Sequence, residues 1–309
     1  MTLGFVFPGQ GSQFVGMLGD AAAVHGSVRE RFDEAGDAIG IDLWRIVSDG
    51  PDADLAATAV TQPALLTASV ALWDVWLAEG GPQPALMAGH SLGEYSALTC
   101  AGALPFADAV RLVRRRGKLM QEAVPQGEGA MAAILGLDDA AIEAACAAAD
   151  GLVSPANYNA PGQTVIAGTA QAVEQAVAGC RERGARKAVM LEVSGPFHCA
   201  LMTPAQERLA EALGSVPLSL PRIPVVHNVD AEIAATVEVV ERRLLAQLTE
   251  PVRWTDCVRR LAADGISHLV ECGPGKVLTG LARRIDRALT AGTLSTLDDL
   301  AGQLEAVAA

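Results

Sequence analysis

The residues of this chain best suited to covalent chemistry are Gly89-His90-Ser91-Leu92-Gly93. An apolar run at 84–89 leads into them, and a helical pattern from Leu92 to about Ala101 leads out. A G-x-S-x-G sequence between strand and helix is a sharp turn that holds its serine hydroxyl exposed; the flanking residues are small because the turn leaves no room for others. The helix behind it points free N–H groups at any developing anion, and the N–H of Leu92 is a natural oxyanion donor. The chemistry is attack by Ser91 on an acyl carbon. A purely structural Gly/Ser turn is the alternative, and the strand–turn–helix context argues against it.

A serine hydroxyl needs a base. The chain has five histidines: His25, His90, His198, His227 and His268. His90 adjoins the serine, and a sharp turn aims its side chain away from the hydroxyl. His25 and His268 read as surface or packing residues. His198 lies in the loop-like stretch Ser194-Gly195-Pro196-Phe197-His198-Cys199, at an expected domain junction where clefts form. His198 is the candidate base, and His227, after an apolar run at 223–226, is its rival. The acids between Ser91 and His198 (Asp108, Asp138, Asp139 and Asp150) each read as a helix cap or turn. An amide or a backbone carbonyl is therefore expected to orient the imidazole in place of a carboxylate.

Arg114-Arg115-Arg116-Gly117-Lys118 is a basic run inside an apolar-faced helix. Two of its arginines read as solvated. Arg116 is one turn from Val113 and Met120 on the packing face, and a buried guanidinium calls for an anion, such as a substrate carboxylate held by both arms of the fork. Two glycine-rich segments do less. Gly9-Gln10-Gly11-Ser12-Gln13 fails G-x-G-x-x-G because Phe14 follows, although its turn could bring a backbone N–H toward the nucleophile. Gly273-Pro274-Gly275-Lys276 lacks the phosphate-loop spacing.

These residues need a frame. Strands are expected at 3–7, 84–89, 223–226 and 268–272, with helices at 63–79, 92–101, 106–123, 203–213, 237–248 and 254–263 and a last helix after Gly275: a parallel α/β sheet. Between them 130–136, 138–149, 152–157, 163–168, 170–183 and 186–193 read as βαββαβ, a ferredoxin-like motif. The fold class is a parallel-sheet α/β core (1–126 and 195–309) with an inserted ferredoxin-like small subdomain (127–194).

Composition sets the outer limits. The 309 residues are 50% hydrophobic and 19% charged, which excludes disorder. Lys and Arg total 23 against 36 Asp and Glu, a net charge of −13 that argues against nucleic-acid or membrane-surface binding. No window is long and apolar enough for a membrane span, and the first residues read as a strand, not a signal peptide. Six scattered cysteines without CxxC point to reduced, cytoplasmic thiols, with no metal centre.

Six segments together, FVFPGQGSQ (5–13), TQPALLTASVALW (61–73), AGHSLGEYSALTCAG (88–102), RGKLMQEAVP (116–125), GPFHCALM (195–202) and ECGPGKVLTGL (271–281), resemble the malonyl-CoA:acyl carrier protein transacylases. The resemblance runs nearly end to end and implies an α/β-hydrolase-like core with a ferredoxin-like inserted subdomain, in agreement with the pattern of strands and helices. It implies Ser91 as nucleophile, His198 as general base, Arg116 as partner of the malonyl carboxylate, Gln10 with Leu92 as oxyanion donors, Gln247 as the carbonyl that orients the histidine, and Gln62 as a cleft glutamine. Phe197, where related acyltransferases differ, leans toward malonyl over methylmalonyl. It further implies a monomeric enzyme of fatty acid synthesis that uses malonyl-CoA as substrate and no cofactor. Its partner is an acyl carrier protein, itself acidic, so docking needs a local basic patch; Arg186, Lys187, Arg283 and Arg284 are candidates. A serine thioesterase or esterase, a transacylase of a polyketide or malonate-decarboxylating system, and a non-catalytic carrier-binding scaffold are the competing readings.

Overall fold

The computed structural model describes residues 1–308. Nine strands form two sheets: β1 (Leu3–Phe7), β2 (Leu86–Gly89), β3 (Gly129–Leu135), β4 (Val153–Ala160), β5 (Gln163–Thr169), β6 (Lys187–Met190), β7 (Val225–Val226), β8 (His268–Glu271) and β9 (Thr290–Thr293). The larger sheet has the order β7-β2-β1-β8-β9, and every pair in it is parallel. β1 and β2 are buried along their whole length, as expected of strands covered on both faces by crossover helices. The smaller sheet is antiparallel, order β4-β5-β3-β6, with helices Asp139–Ala147 and Ala170–Glu182 between its strands. Numbered within the motif, that order is second, third, first, fourth: the ferredoxin-like arrangement. The expected α/β-hydrolase-like core with a ferredoxin-like insertion is the observed fold.

The helix Thr58–Ala78 is apolar almost all round and runs through the core. Its neighbour Phe106–Glu122 carries the basic run. The two approach closely at Gly117, where an added Cβ would sit 2.5 Å from the Thr58 carbonyl oxygen. That approach brings Gln62 on one helix to Arg116 on the other. The helix Val277–Ile285 is fixed by a buried carboxylate: Glu271, ending β8, accepts from the N–H groups of Leu278 and Thr279 at 3.1 and 2.8 Å.

Three expectations need correction. The strand read over 186–193 covers only Lys187–Met190. β6 is an edge strand paired to β3 alone, and the chain leaves the sheet at Leu191, so residues 191–193 remain exposed. The run at 223–226 is a strand only at Val225–Val226, since Pro224 precedes it. Of the two arginines read as solvated, Arg114 is half-buried and donates to the Ile39 carbonyl. Segment 19–56 adds four helices outside the sequence reading, and β9 with the helix Leu297–Ala308 closes the sheet edge.

The Ser91 turn is set by contact. A Cβ on Gly89 would lie 1.9 Å from the Gly93 carbonyl, and one on Gly93 would lie 2.0 Å from the Phe7 oxygen, both immovable backbone. Gly89→Ala and Gly93→Ala should each destabilise at or above the ~3 kcal/mol upper end of ordinary overpacking. Gly302→Ala, in an exposed helical position with open space, should stabilise by ~0.5–1 kcal/mol. Denaturant unfolding of the three variants checks this ordering, and comparable behaviour of all three would contradict it.

Candidate active site

The turn after β2 places Ser91 at φ 53°, ψ −106°, a backbone rarely adopted by an L residue, held here by the packing around it. The His90 N–H bonds the Phe7 carbonyl at 2.9 Å, and the Ser91 N–H bonds Asn228 Oδ1 at 2.7 Å. Asn228 Nδ2 in turn donates to the Gly89 carbonyl at 2.7 Å. The turn is thus pinned from β1 on one side and from the residue pair after β7 on the other.

His198, also at positive φ (59°), brings Nε2 to 2.7 Å from Ser91 Oγ. Its Nδ1 lies 2.7 Å from the Gln247 backbone carbonyl. A carbonyl only accepts, so Nδ1 carries the hydrogen and Nε2 offers its lone pair to the serine hydroxyl. Of the two groups expected to orient the imidazole, an amide or a backbone carbonyl, the carbonyl is the one at Nδ1. The other histidines lie elsewhere. His90 turns away from the hydroxyl to bond Asn159 Oδ1 at 2.8 Å. His227, the rival base, is fully buried with Nδ1 2.7 Å from Glu94 Oε1, and its bond is to that carboxylate. His268 bridges Thr290 and Gln303, and His25 faces Glu79 at 3.8 Å.

Arg116 is 1% exposed. Its Nη1 donates to Gln62 Oε1 at 2.9 Å, and its Nη2 to Gln247 Oε1 at 2.8 Å and Ser91 Oγ at 3.2 Å. The guanidinium carbon sits 5.2 Å from the Tyr95 ring centroid. Among the described residues no carboxylate forms an ion pair with Arg116, and its Nε has no partner. A buried cation held by neutral oxygens alone keeps part of its desolvation cost uncompensated.

Ser91, His198, Arg116, Gln10, Leu92, Gln62 and Phe197 line one cavity of about 440 Å³. Gln247 stands behind it. The Gln10 side chain bonds Thr58 Oγ1 at 3.2 Å, and Thr58 bonds Ser194 Oγ at 2.8 Å, tying the loop after β1 to the loop before His198. Among the described residues the backbone N–H groups of Gln10 and Leu92 have no acceptor within the chain. Leu191, Glu192 and Val193 before His198, and Val277, Leu278 and Leu281 of the helix Val277–Ile285, also line the cavity. Of the proposed docking residues, Arg284 bonds Gln163, a lining residue, while Arg283 is tied to the Ala291 carbonyl at 2.8 Å. Arg186 and Lys187 are exposed at the start of β6, and Lys187 lies ~13 Å of extended chain from the lining residue Leu191.

Sequence reasoning missed Asn228, Glu94 and Thr58. Glu94 carried one signal: it is the sole charge in the helix Leu92–Cys100, whose first eight residues are all buried.

A strained serine on a strand–helix elbow, next to a neutral imidazole, is the arrangement of the serine acyl-transfer enzymes. Residues 4–293 match the acyl transferase domain family. The chain is 57% identical to the malonyl CoA-acyl carrier protein transacylase of Escherichia coli K12 over 97% of its own length and 98% of the relative's. It is 45% identical to that of Bacillus subtilis 168 over 93% and 91%. Among solved structures, the acyl carrier protein S-malonyltransferase of Vibrio cholerae aligns with TM-score 0.96, at 51% identity over 98% of this chain and all of that one. A malonyl-transacylase in complex with a type II PKS acyl-carrier protein aligns with TM-score 0.98, at 50% identity over 99% of this chain and all of that one. The chain belongs to the acyl transferase family and, within it, to the malonyl CoA-acyl carrier protein transacylases.

Burial, and then the Arg116 charge, push His198 down to about 3. A neutral base is needed, and this one stays neutral well below pH 6.5. The kcat/KM for acyl-enzyme formation, which reports the free enzyme, should therefore stay flat from pH 8 to about 5. A tenfold loss per pH unit beginning near 6.5 would show an ordinary histidine.

Proposed function

We propose that this enzyme transfers the malonyl group of malonyl-CoA to the phosphopantetheine thiol of an acyl carrier protein, serving fatty acid synthesis through a malonyl ester on Ser91. The observation that carries the reading is Arg116, a buried guanidinium beside the nucleophile that lacks a carboxylate partner.

Ser91 Oγ attacks the thioester carbon while His198 Nε2 accepts the hydroxyl proton. The Gln247 carbonyl holds Nδ1–H and so supports the imidazolium that forms. The tetrahedral oxyanion is received by the N–H groups of Leu92 and Gln10; losing one such donor typically costs ~10²–10³ in rate. The C–S bond breaks, CoA sulfur takes the proton from His198, and the thiol departs. The carrier's thiol then attacks the ester by the same route, with ping-pong kinetics. The carboxylate of the acyl group sits on Arg116, steadied by Gln62, with Phe197 closing the wall beside it. No step calls for a metal or redox group.

Residues 127–194 act in this reading as an inserted unit that supplies one wall of the cleft. The acidic carrier approaches the cavity and meets Arg284, a reading supported by the bond of Arg284 to the lining residue Gln163. The cytoplasm keeps the six unpaired thiols of this chain reduced.

A charged hydrogen bond contributes ~1.5–3 kcal/mol. Arg116→Ala should therefore lower malonyl loading from CoA about 10- to 150-fold relative to acetyl loading. Equal losses for the two acyl groups would make Arg116 structural. Mass measurement after mixing with labelled malonyl-CoA should find the label on the protein, and Ser91→Ala should abolish it; prompt release of free malonate would favour a thioesterase. Arg284→Glu should raise KM for the carrier severalfold and leave loading from malonyl-CoA unchanged.

A further inference from the structure

We propose that Glu94 is a positioning residue for the acyl-carboxylate receptor, acting on Arg116 through the side-chain amide of Gln247. The inference rests on the reading of Arg116 given above. Glu94 lies in the first turn of the helix behind Ser91 and is fully buried. It does not touch the cavity.

The carboxylate is held on three sides. Oε1 meets His227 Nδ1 at 2.7 Å. Oε2 accepts the Asn228 N–H at 3.0 Å and Gln247 Nε2 at 2.8 Å. The opposite end of the same Gln247 amide, Oε1, accepts Arg116 Nη2 at 2.8 Å. A buried anion and a buried cation thus face the two ends of one amide. The carboxylate only accepts and the guanidinium only donates, so the amide has a single satisfactory orientation. Nε2 also donates to the Ser91 carbonyl at 3.0 Å, which fastens the amide to the nucleophile's own backbone.

This arrangement separates two requirements that would otherwise conflict. A buried guanidinium needs a compensating negative charge. A carboxylate in direct contact would supply it but would also occupy the fork that the substrate must use. With an amide between them, Glu94 compensates the charge and polarises the Gln247 carbonyl toward Arg116, while the fork stays open. Replacing Glu94 by glutamine removes the compensating charge and the polarisation of the Gln247 amide, while Arg116 and the Ser91 carbonyl still select the same amide orientation.

The test is a double-mutant cycle read as the ratio of malonyl to acetyl loading rates, measured by rapid quench and protein mass. Glu94→Gln should lower that ratio about tenfold. In an Arg116→Ala background the same substitution should change it no further. A purely structural Glu94 would lower both loading rates alike, and this result overturns the proposal. So does a tenfold effect that persists without Arg116. If Arg116→Ala alone leaves the ratio unchanged, the receptor reading itself fails. The swap Glu94→Gln/Gln247→Glu covers the case in which the single variant does not fold, because it restores one buried carboxylate. That carboxylate now contacts Arg116 and competes with the substrate, so malonyl loading should fall at least tenfold more than acetyl loading. Wild-type discrimination in the swapped enzyme overturns the proposal.

Discussion

A full positive charge is buried at Arg116 without an anion in contact, and the site is organised around that fact. Taking such an ion out of water costs several kcal/mol even after relaxation. Two glutamine oxygens and the Tyr95 ring return part of this, none of them as strongly as a carboxylate would. In the proposed mechanism the malonyl carboxylate supplies the remainder and an acetyl group does not, so acyl selectivity and the burial cost of Arg116 have a common origin.

The same charge explains why the histidine is oriented by a carbonyl. Arg116 Nη2 lies 3.2 Å from Ser91 Oγ, and His198 Nε2 lies 2.7 Å from that oxygen. A neutral partner on Nδ1 adds no charge to a buried site that already holds the guanidinium. The neutral Gln247 carbonyl fixes the tautomer without drawing on Arg116. The accompanying cost is a weakly basic imidazole, pushed down by burial and by the adjacent cation. In the proposed mechanism a substrate carboxylate on Arg116 offsets the second of these causes.

What could be read from the chain follows from which interactions are local. The Ser91 elbow was legible because backbone contact forbids any Cβ at Gly89 and Gly93, leaving a pattern in five adjacent residues. Arg116 was legible because helical period alone places it on the buried face. His198 stood out as a histidine in a loop at a domain return, although local pattern left His227 in contention. That choice is decided by Glu94, 133 residues away. Gln247 acts on the imidazole through its backbone carbonyl, a group every residue carries, so no local signal marks it; only the family resemblance pointed there. The α/β alternation was readable from apolar runs, but the end of β6 was not. Val189, Leu191 and Val193 continue the strand-like pattern, yet only part of that edge finds a partner on β3, and the rest turns to border the cavity.

The cavity lies between the two sheets, and the attachments on its two sides differ. On the β4 side the insertion is joined to the main body by backbone hydrogen bonds: Tyr158 N–H to the Val252 carbonyl and Val252 N–H to the Ala156 carbonyl, both 2.9 Å. The His90–Asn159 bond adds a side-chain tie beside the nucleophile. On the β6 side the chain returns through Leu191–Ser194, where the tie to the body is the hydroxyl contact of Ser194 with Thr58. Thr58 also holds Gln10, whose N–H is the second oxyanion donor in the proposed mechanism. A movement of the loop before His198 would therefore be felt at the oxyanion site through two side-chain bonds, while the nucleophile stays fixed by its backbone contacts.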